Sequence, residues 1–286
     1  MSTLSLMSSP SGLRMTIRSP TFSATRGGDM TLCIDIGNTN IVLGCYEGTS
    51  LCFYSRISTD RSRLADQYAV EFLNILRLHD MNIQKIDGAI VGSVVPELTD
   101  AVCCAVHTVV KIKPMILSES LRTGLCIKID SPSQLGSDLI AAAVAVKAKY
   151  PLPAIIIDMG TATTISVLAK NGDFLGGSIM PGVRIATDAL IARTSMLVGI
   201  SFEAPPSPIG KNTVDSMKSG AVLGTAAMLD GMCGLIADEL GSMPFVVATG
   251  GLAEVITPHC KTEIVNDDLL LMEGLLQVFN INNNQF

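Results

Sequence analysis

The hydropathy pattern carries one rhythm twice. The apolar run Thr31-Leu32-Cys33-Ile34 meets the polar turn Asp35-Ile36-Gly37-Asn38-Thr39-Asn40, and Ile41-Val42-Leu43-Gly44-Cys45 resumes the apolar character. Later, Ala154-Ile155-Ile156-Ile157 leads into Asp158-Met159-Gly160-Thr161-Ala162-Thr163-Thr164, followed by Ile165-Ser166-Val167-Leu168. Each copy reads as strand, glycine turn, strand. A third strand follows each time, at 51–57 and at 174–179, the latter entered through the hairpin turn Asn171-Gly172-Asp173, so each copy opens a meander.

Helical spacing appears between these strands. Leu64, Tyr68, Phe72, Ile75 and Leu76 recur at three-to-four intervals and predict a helix over 60–78. A buried strand is expected over 88–95, a helix over 98–110, a short strand at 115–117 and an alanine-rich helix over 134–150. After the second meander come a helix over 181–196, a rigid proline loop at 205–208 and a long glycine-interrupted helical region over 213–240. A strand at 245–248, a helix over 268–279 and a polar tail from 280 complete the chain. Both halves start with a meander and add helices and strands. The class is α/β with an internal duplication, divided near Tyr150-Pro151-Leu152-Pro153 into residues 30–150 and 151–286. The cleft between the halves is the natural place for a site.

Composition narrows the classes. Of 286 residues 48% are hydrophobic, which supplies ample core, and no unbroken apolar run reaches the ~18–20 residues of a spanning helix. The net charge is −6 with no basic stripe, which argues against a nucleic-acid partner. None of the eight cysteines forms a C-x-x-C pair, and most sit in apolar runs, so buried free thiols in a reducing, cytoplasmic compartment are expected. His79, His107 and His259 share no metal-ligand spacing. Residues 1–29 differ: rich in Ser and Thr, they hold Arg14, Arg18 and Arg26 and no acid before Asp29. They read as a start-site extension ahead of Met30, an organelle transit peptide or a disordered tail; Met30 directly before the first strand favours the first or third.

The repeated turn is the main chemical signal. Glycine lets backbone approach a phosphate, and neighbouring N–H groups form an anion-binding concavity. Asn38, Thr39 and Asn40 add donors, and Asp35 could hold Mg²⁺ through water. One such turn is equally an ordinary hairpin; a second copy after another apolar strand favours phosphate binding. There is no P-loop and no G-x-G-x-x-G after a strand. Thr249-Gly250-Gly251 could pass near an adenine or ribose, or be a plain turn. Gly176-Gly177-Ser178-Ile179-Met180-Pro181-Gly182 could approach a ligand, or reflect backbone freedom before a proline-started helix. In Gly136-Ser137-Asp138 the spacing favours a helix cap or dipole partner for the aspartate, with a general base for a substrate hydroxyl as the functional alternative.

The order D-x-G-N-T-N, G-x-D, D-x-G-T-A-T-T, G-G-x-I-x-P-G, I-G-K-N-T, T-G-G resembles the type III pantothenate kinases over essentially the whole chain from Met30 to residue 280. Ser93-Val94-Val95-Pro96 and the segment 268–275 also fit. The resemblance implies a duplicated actin-like (ribonuclease H-like) two-domain kinase fold with an ATP cleft between the domains, acting as a homodimer. It implies phosphorylation of pantothenate by ATP, the first step toward coenzyme A, with Mg²⁺ and a monovalent cation, K⁺ or NH₄⁺. Carried over by motif, Asp35, Ile36, Gly37, Asn38, Thr39, Asn40, Ile41 and Val42 would cradle the ATP phosphates with Asp35 near Mg²⁺. Thr161 would contact ATP, Asp158 would help bind the monovalent cation, and Asp138 would be the general base. Gly136, Ser137, Asp138, Leu139 and Ile129 would lie at the pantothenate, and Thr213 would reach it from the partner subunit.

The match departs beside the base. The family pattern has Tyr at the position of Ile129 and Arg at that of Leu139, and that Arg helps hold the pantothenate carboxylate; leucine offers neither donor nor charge. Three consequences follow as alternatives: another cation such as Arg184 or Lys211 substitutes, pantothenate binds more weakly, or the acceptor has a less acidic tail. The corresponding alternatives for the whole protein are a catalytically impaired, ligand-sensing paralogue and a kinase for another small alcohol.

Overall fold

A computed structural model describes residues 30–283; the leader at 1–29 lies outside them. The duplication is complete at the level of the sheets. Strands β1 (Met30–Ile36), β2 (Asn40–Glu47), β3 (Ser50–Ser58), β4 (Ile86–Ser93) and β5 (Met115–Ile116) form one sheet in the order β3-β2-β1-β4-β5. Strands β6 (Ala154–Met159), β7 (Ala162–Leu168), β8 (Phe174–Pro181), β9 (Phe245–Thr249) and β10 (Val265–Asn266) form the second, in the order β10-β9-β6-β7-β8. In each, the meander is antiparallel and the two later strands are added in parallel. The antiparallel steps need only tight turns, whereas the parallel ones need crossovers.

Helices α1 (Ala65–Leu78) and α2 (Pro96–Val110) cover the outer face of the first sheet. Tyr68, Phe72, Leu98 and Val102 pack there against Leu32, Ile34 and Ile36. α1 starts at Ala65 and not at 60. Asp60 Oδ1 accepts bonds from the amide and the hydroxyl of Ser62, and the Arg63 amide bonds to the Asp60 carbonyl, so these residues form a turn. The second sheet's outer face is covered by Val183 at the head of α4 (Val183–Ala192), by the long helix from Thr213 and by α7 (Ala253–Ile256). Pro181 ends β8 and does not start a helix; Gly182 caps α4 instead. α4 also ends four residues before the expected 196.

The region 213–240 is one continuous helix: α5 (Thr213–Lys218), a π turn over Ser219–Gly224, and α6 (Thr225–Leu240). Its length and apolarity would allow it to cross a membrane. This corrects the reading from unbroken runs, because isolated glycines and polar residues interrupt the run without ending the helix. Val222, Ala226, Leu229 and Cys233 on one side pack against the sheet.

The layer between the sheets is built by α3 (Ser137–Lys149) and α8 (Leu270–Asn283). Ile140, Ala141 and Val144 of α3 pack toward the first sheet with Cys33 and Ile90. Ala142, Ala143, Ala145 and Val146 pack toward the second with Ile156, Leu168 and Val247. A helix buried on both sides is apolar all round, which accounts for its alanine content. α8 follows the second sheet in sequence but packs on the first, through Met272, Leu275, Val278 and Phe279. It approaches α3 so closely that a Cβ at Gly274 would stand 1.9 Å from the Ala141 carbonyl oxygen. α8 also runs past the expected end at 279. Asn282 donates to the carbonyls of Val278 and Arg122 and accepts from the Arg122 amide, drawing the expected polar tail into the helix.

Candidate active site

Alternation along β1 sends Leu32, Ile34 and Ile36 to the outer core and Cys33 and Asp35 toward α3 and α8. A buried carboxylate thus stands at the inner end of the strand, 9% exposed. The glycine turn after it is tied down on both sides. The Gly37 amide donates to the Asn40 carbonyl at 2.9 Å, the Thr59 hydroxyl donates to the Gly37 carbonyl at 2.7 Å, and the Thr59 amide donates to the Thr39 carbonyl at 2.9 Å. Asn38 accepts from Arg61 at 2.9 Å. Ile41 is buried and Val42 half-buried as β2 leaves the turn.

The second copy faces the first. Thr39 Oγ1 and Thr161 Oγ1 lie 2.7 Å apart, so the two repeated turns meet hydroxyl to hydroxyl. Asp158, next to last in β6, lies opposite Thr164 of β7 and Thr249 of β9. Gly250, at φ +96°, passes over it: a Cβ there would come within 2.7 Å of Asp158 Oδ1. The Thr249-Gly250-Gly251 turn therefore makes room for a carboxylate.

Asp138 comes from the layer between the sheets. It sits in the first turn of α3, and its Oδ1 accepts the Leu139 amide at 2.8 Å, in the geometry of a helix-start partner. A Cβ on Gly136 would fall 2.4 Å from that oxygen and so would displace the Asp138 carboxylate. Ser137 lies next to Asp35. A Cβ on Gly92 would be 3.5 Å from Ser137 Oγ and 3.7 Å from Asp35 Oδ1, so the bare backbone of Gly92 leaves them a shared space. Ser137 Oγ is buried with no partner.

Three carboxylates from β1, β6 and α3 thus converge without a cation paired to any of them among the described residues. Burial first, then repulsion from Asp138 and Asp158, pushes Asp35 up to about 8. Burial and Asp138 push Asp158 to about 7. Burial raises Asp138, against the opposing pull of its backbone hydrogen bonds. Among the described residues no group of three or more His, Cys, Asp or Glu side chains is placed to hold one metal ion.

Beside Asp138 lies a cavity of about 450 Å³ between the inner face of β7 and β8 and the segment 129–139. Ile129, Leu139, Thr164, Ser166 and Ser178 line it. Gly136, Ser137 and Asp138 do not line it; Asp138 stands next to it as the neighbour of Leu139. Thr213 is exposed at the head of α5 and is not part of the lining. Arg184 is exposed, its guanidinium 4.9 Å from the Phe202 ring, and Lys211 is exposed; neither lines the cavity. A larger, open depression of about 820 Å³ runs along α1 from Arg63 to Leu78 and holds none of the three carboxylates. Thr164 closes the second glycine motif, and Gly176, Gly177, Ser178 and Ile179, from the glycine segment that could approach a ligand, all line the cavity. Ser166 was not singled out; its only signal is alternation along β7, which does not say which face meets a cavity.

Two duplicated sheets, repeated turns that touch, and buried carboxylates beside a partly open cavity define the duplicated actin-like fold. The likeness to solved structures has the same content at the level of fold. A Sinorhizobium meliloti protein assigned as a 2-dehydro-3-deoxygalactonokinase superposes with a TM-score of 0.53 at 14% identity, covering 87% of this chain and 95% of that one. The chain belongs to the type III pantothenate kinase family, whose model matches residues 31–234. Curated type III pantothenate kinases from Roseiflexus sp. (strain RS-1) and Moorella thermoacetica are 39% and 38% identical over 253 residues. The matches cover 88% of this chain and 99% and 100% of those relatives.

Proposed function

We propose that this chain transfers the γ-phosphoryl group of ATP to the terminal hydroxyl of pantothenate, giving 4'-phosphopantothenate and ADP on the way to coenzyme A. The observation that carries the reading is the convergence of Asp35, Asp138 and Asp158 beside the cavity at Leu139. Residues 30–150 and 151–286 are its two domains, with α3 and α8 between their sheets, and a cytoplasmic location goes with it.

The turn formed by Asp35, Ile36, Gly37, Asn38, Thr39, Asn40, Ile41 and Val42 receives the ATP phosphates, and Thr161 contacts the nucleotide from the facing turn. A buried carboxylate with no cation fits a divalent ion held through one or two carboxylates, waters and substrate phosphates. Asp35 would hold Mg²⁺ in that manner, and Asp158 the monovalent cation, K⁺ or NH₄⁺. These cations neutralise phosphate charge when bound. Asp138 accepts the proton of the acceptor hydroxyl as its oxygen bonds to the γ-phosphorus and the bridging P–O bond to ADP breaks. A base whose pKa is raised by burial is better matched to proton transfer near neutral pH. Asp138→Asn is expected to lose nearly all turnover in a coupled ADP-release assay with Mg²⁺-ATP, K⁺ and pantothenate, while retaining nucleotide binding. Turnover near wild type would sink the assignment.

The homodimer belongs to the same reading. Gly220, Gly231 and Gly234 on the helix from Thr213 have open space where a side chain would stand, and Leu235 beside them is 66% exposed. Glycine inside a helix costs about 1 kcal/mol, and nothing among the described residues uses the room. Close packing of a second copy would, and it would bring Thr213 of each copy toward the other's acceptor cavity.

A further inference from the structure

The acceptor cavity carries no positive charge. Its lining contains no lysine, arginine or histidine, and its one ionisable residue is the acid Asp130. Ile129 and Leu139 contribute apolar wall, while Thr164, Ser166 and Ser178 contribute hydroxyls from one strand pair. Thr164 Oγ1 is buried with no hydrogen-bond partner, in register with Asp158 on the neighbouring strand. An unpaired buried hydroxyl costs free energy until something bonds to it, so this one marks where a ligand's polar group belongs. A carboxylate placed among these groups would lose water, meet Asp130 and find no cation in the lining this chain supplies, which is unfavourable. An amide would not: hydroxyls can donate to its carbonyl and accept from its N–H.

We infer that the cavity recognises the uncharged body of the acceptor and not a terminal carboxylate, so that amide-capped pantothenate is phosphorylated as readily as the acid. The inference rests on the phosphotransfer reading above, and it makes Leu139 and Thr164 the residues that set the preference.

The test compares pantothenate with its primary amide in one ADP-release assay at fixed Mg²⁺-ATP and K⁺. The expected kcat/KM of the amide is within threefold of the acid's or above it. Preference for the acid by more than threefold overturns the inference and leaves the kinase reading standing. No turnover of either acceptor overturns the kinase reading and the inference with it. Leu139→Arg adds a guanidinium suited to bidentate carboxylate binding. It should move the preference toward the acid by tenfold or more, chiefly through KM; a smaller shift removes the acceptor's tail from Leu139. The wild-type comparison needs no variant, so the inference stays refutable even where Leu139→Arg fails to fold.

Discussion

Asp35→Asn should stabilise the ligand-free protein, and by an amount that grows with pH. In the native state Asp35 titrates near 8, because burial and the neighbouring carboxylates disfavour its charge. In the unfolded chain it titrates near the ordinary value of about 4. Between those values the native state holds a proton that the unfolded state has lost, so stability falls as pH rises, by up to about 1.4 kcal/mol per pH unit. The contribution is fully present below about pH 4 and has gone once the pH passes about 8. Asparagine has no proton to lose. Asp138 and Asp158 titrate in both proteins, so the difference between variant and wild type isolates position 35. That difference should widen in favour of the variant by roughly 2–4 kcal/mol from pH 5 to pH 8. Urea unfolding of both proteins across that range, with divalent ions chelated, measures it. Mg²⁺-ATP at pH 8 should then raise the wild-type midpoint more than the variant's, because the wild-type carboxylate gains a counter-ion. Parallel pH dependences for the two proteins would refute the reasoning.

Gly274→Ala should destabilise the fold by roughly 3 kcal/mol or more, since the new methyl meets the Ala141 backbone and no side chain can give way; a shift under 1 kcal/mol in urea unfolding would show that α8 can move off α3. Gly231→Leu, by contrast, meets nothing within its own chain and improves helix propensity. It should leave each chain folded by circular dichroism yet convert dimer to monomer in light scattering; a dimer that survives the change places the second copy elsewhere.

The parts of this fold that are local in sequence are the parts the hydropathy pattern shows. Alternation and glycine turns mark both meanders, and the repeat of Asp35 and Asp158 anticipates two sheets of equivalent strand order. Elements of two to four residues, such as β10 and α7, fall below any periodicity. Helix starts shift where a side chain captures the backbone, as Asp60 does ahead of α1. The position of α8 on the first sheet follows from Gly274 and Gly88, whose missing side chains admit Ala141 and Phe279, and no local spacing announces such a fit. The site divides similarly. The carboxylates were visible as motifs, whereas the contact of Thr39 with Thr161 joins residues 122 positions apart.

The two halves repeat, and α3 closes the first as α8 closes the second, but the proposed base lies outside the repeated turns. Asp35 and Asp158 occupy matching strand ends, while Asp138 stands on α3, which packs against both sheets. The far end of that helix is anchored: Lys149 Nζ lies 2.8 Å from both Asp267 Oδ2 and Glu273 Oε2, and the Tyr150 hydroxyl donates to the same Asp267 oxygen at 2.8 Å. α3 is thus fixed to α8 at its C-terminal end and carries Asp138 at its N-terminal end. Its small side chains are shared by both cores, so the two sheets are joined through this helix. The alanines of α3 let both sheets come close enough to share the helix that carries Asp138.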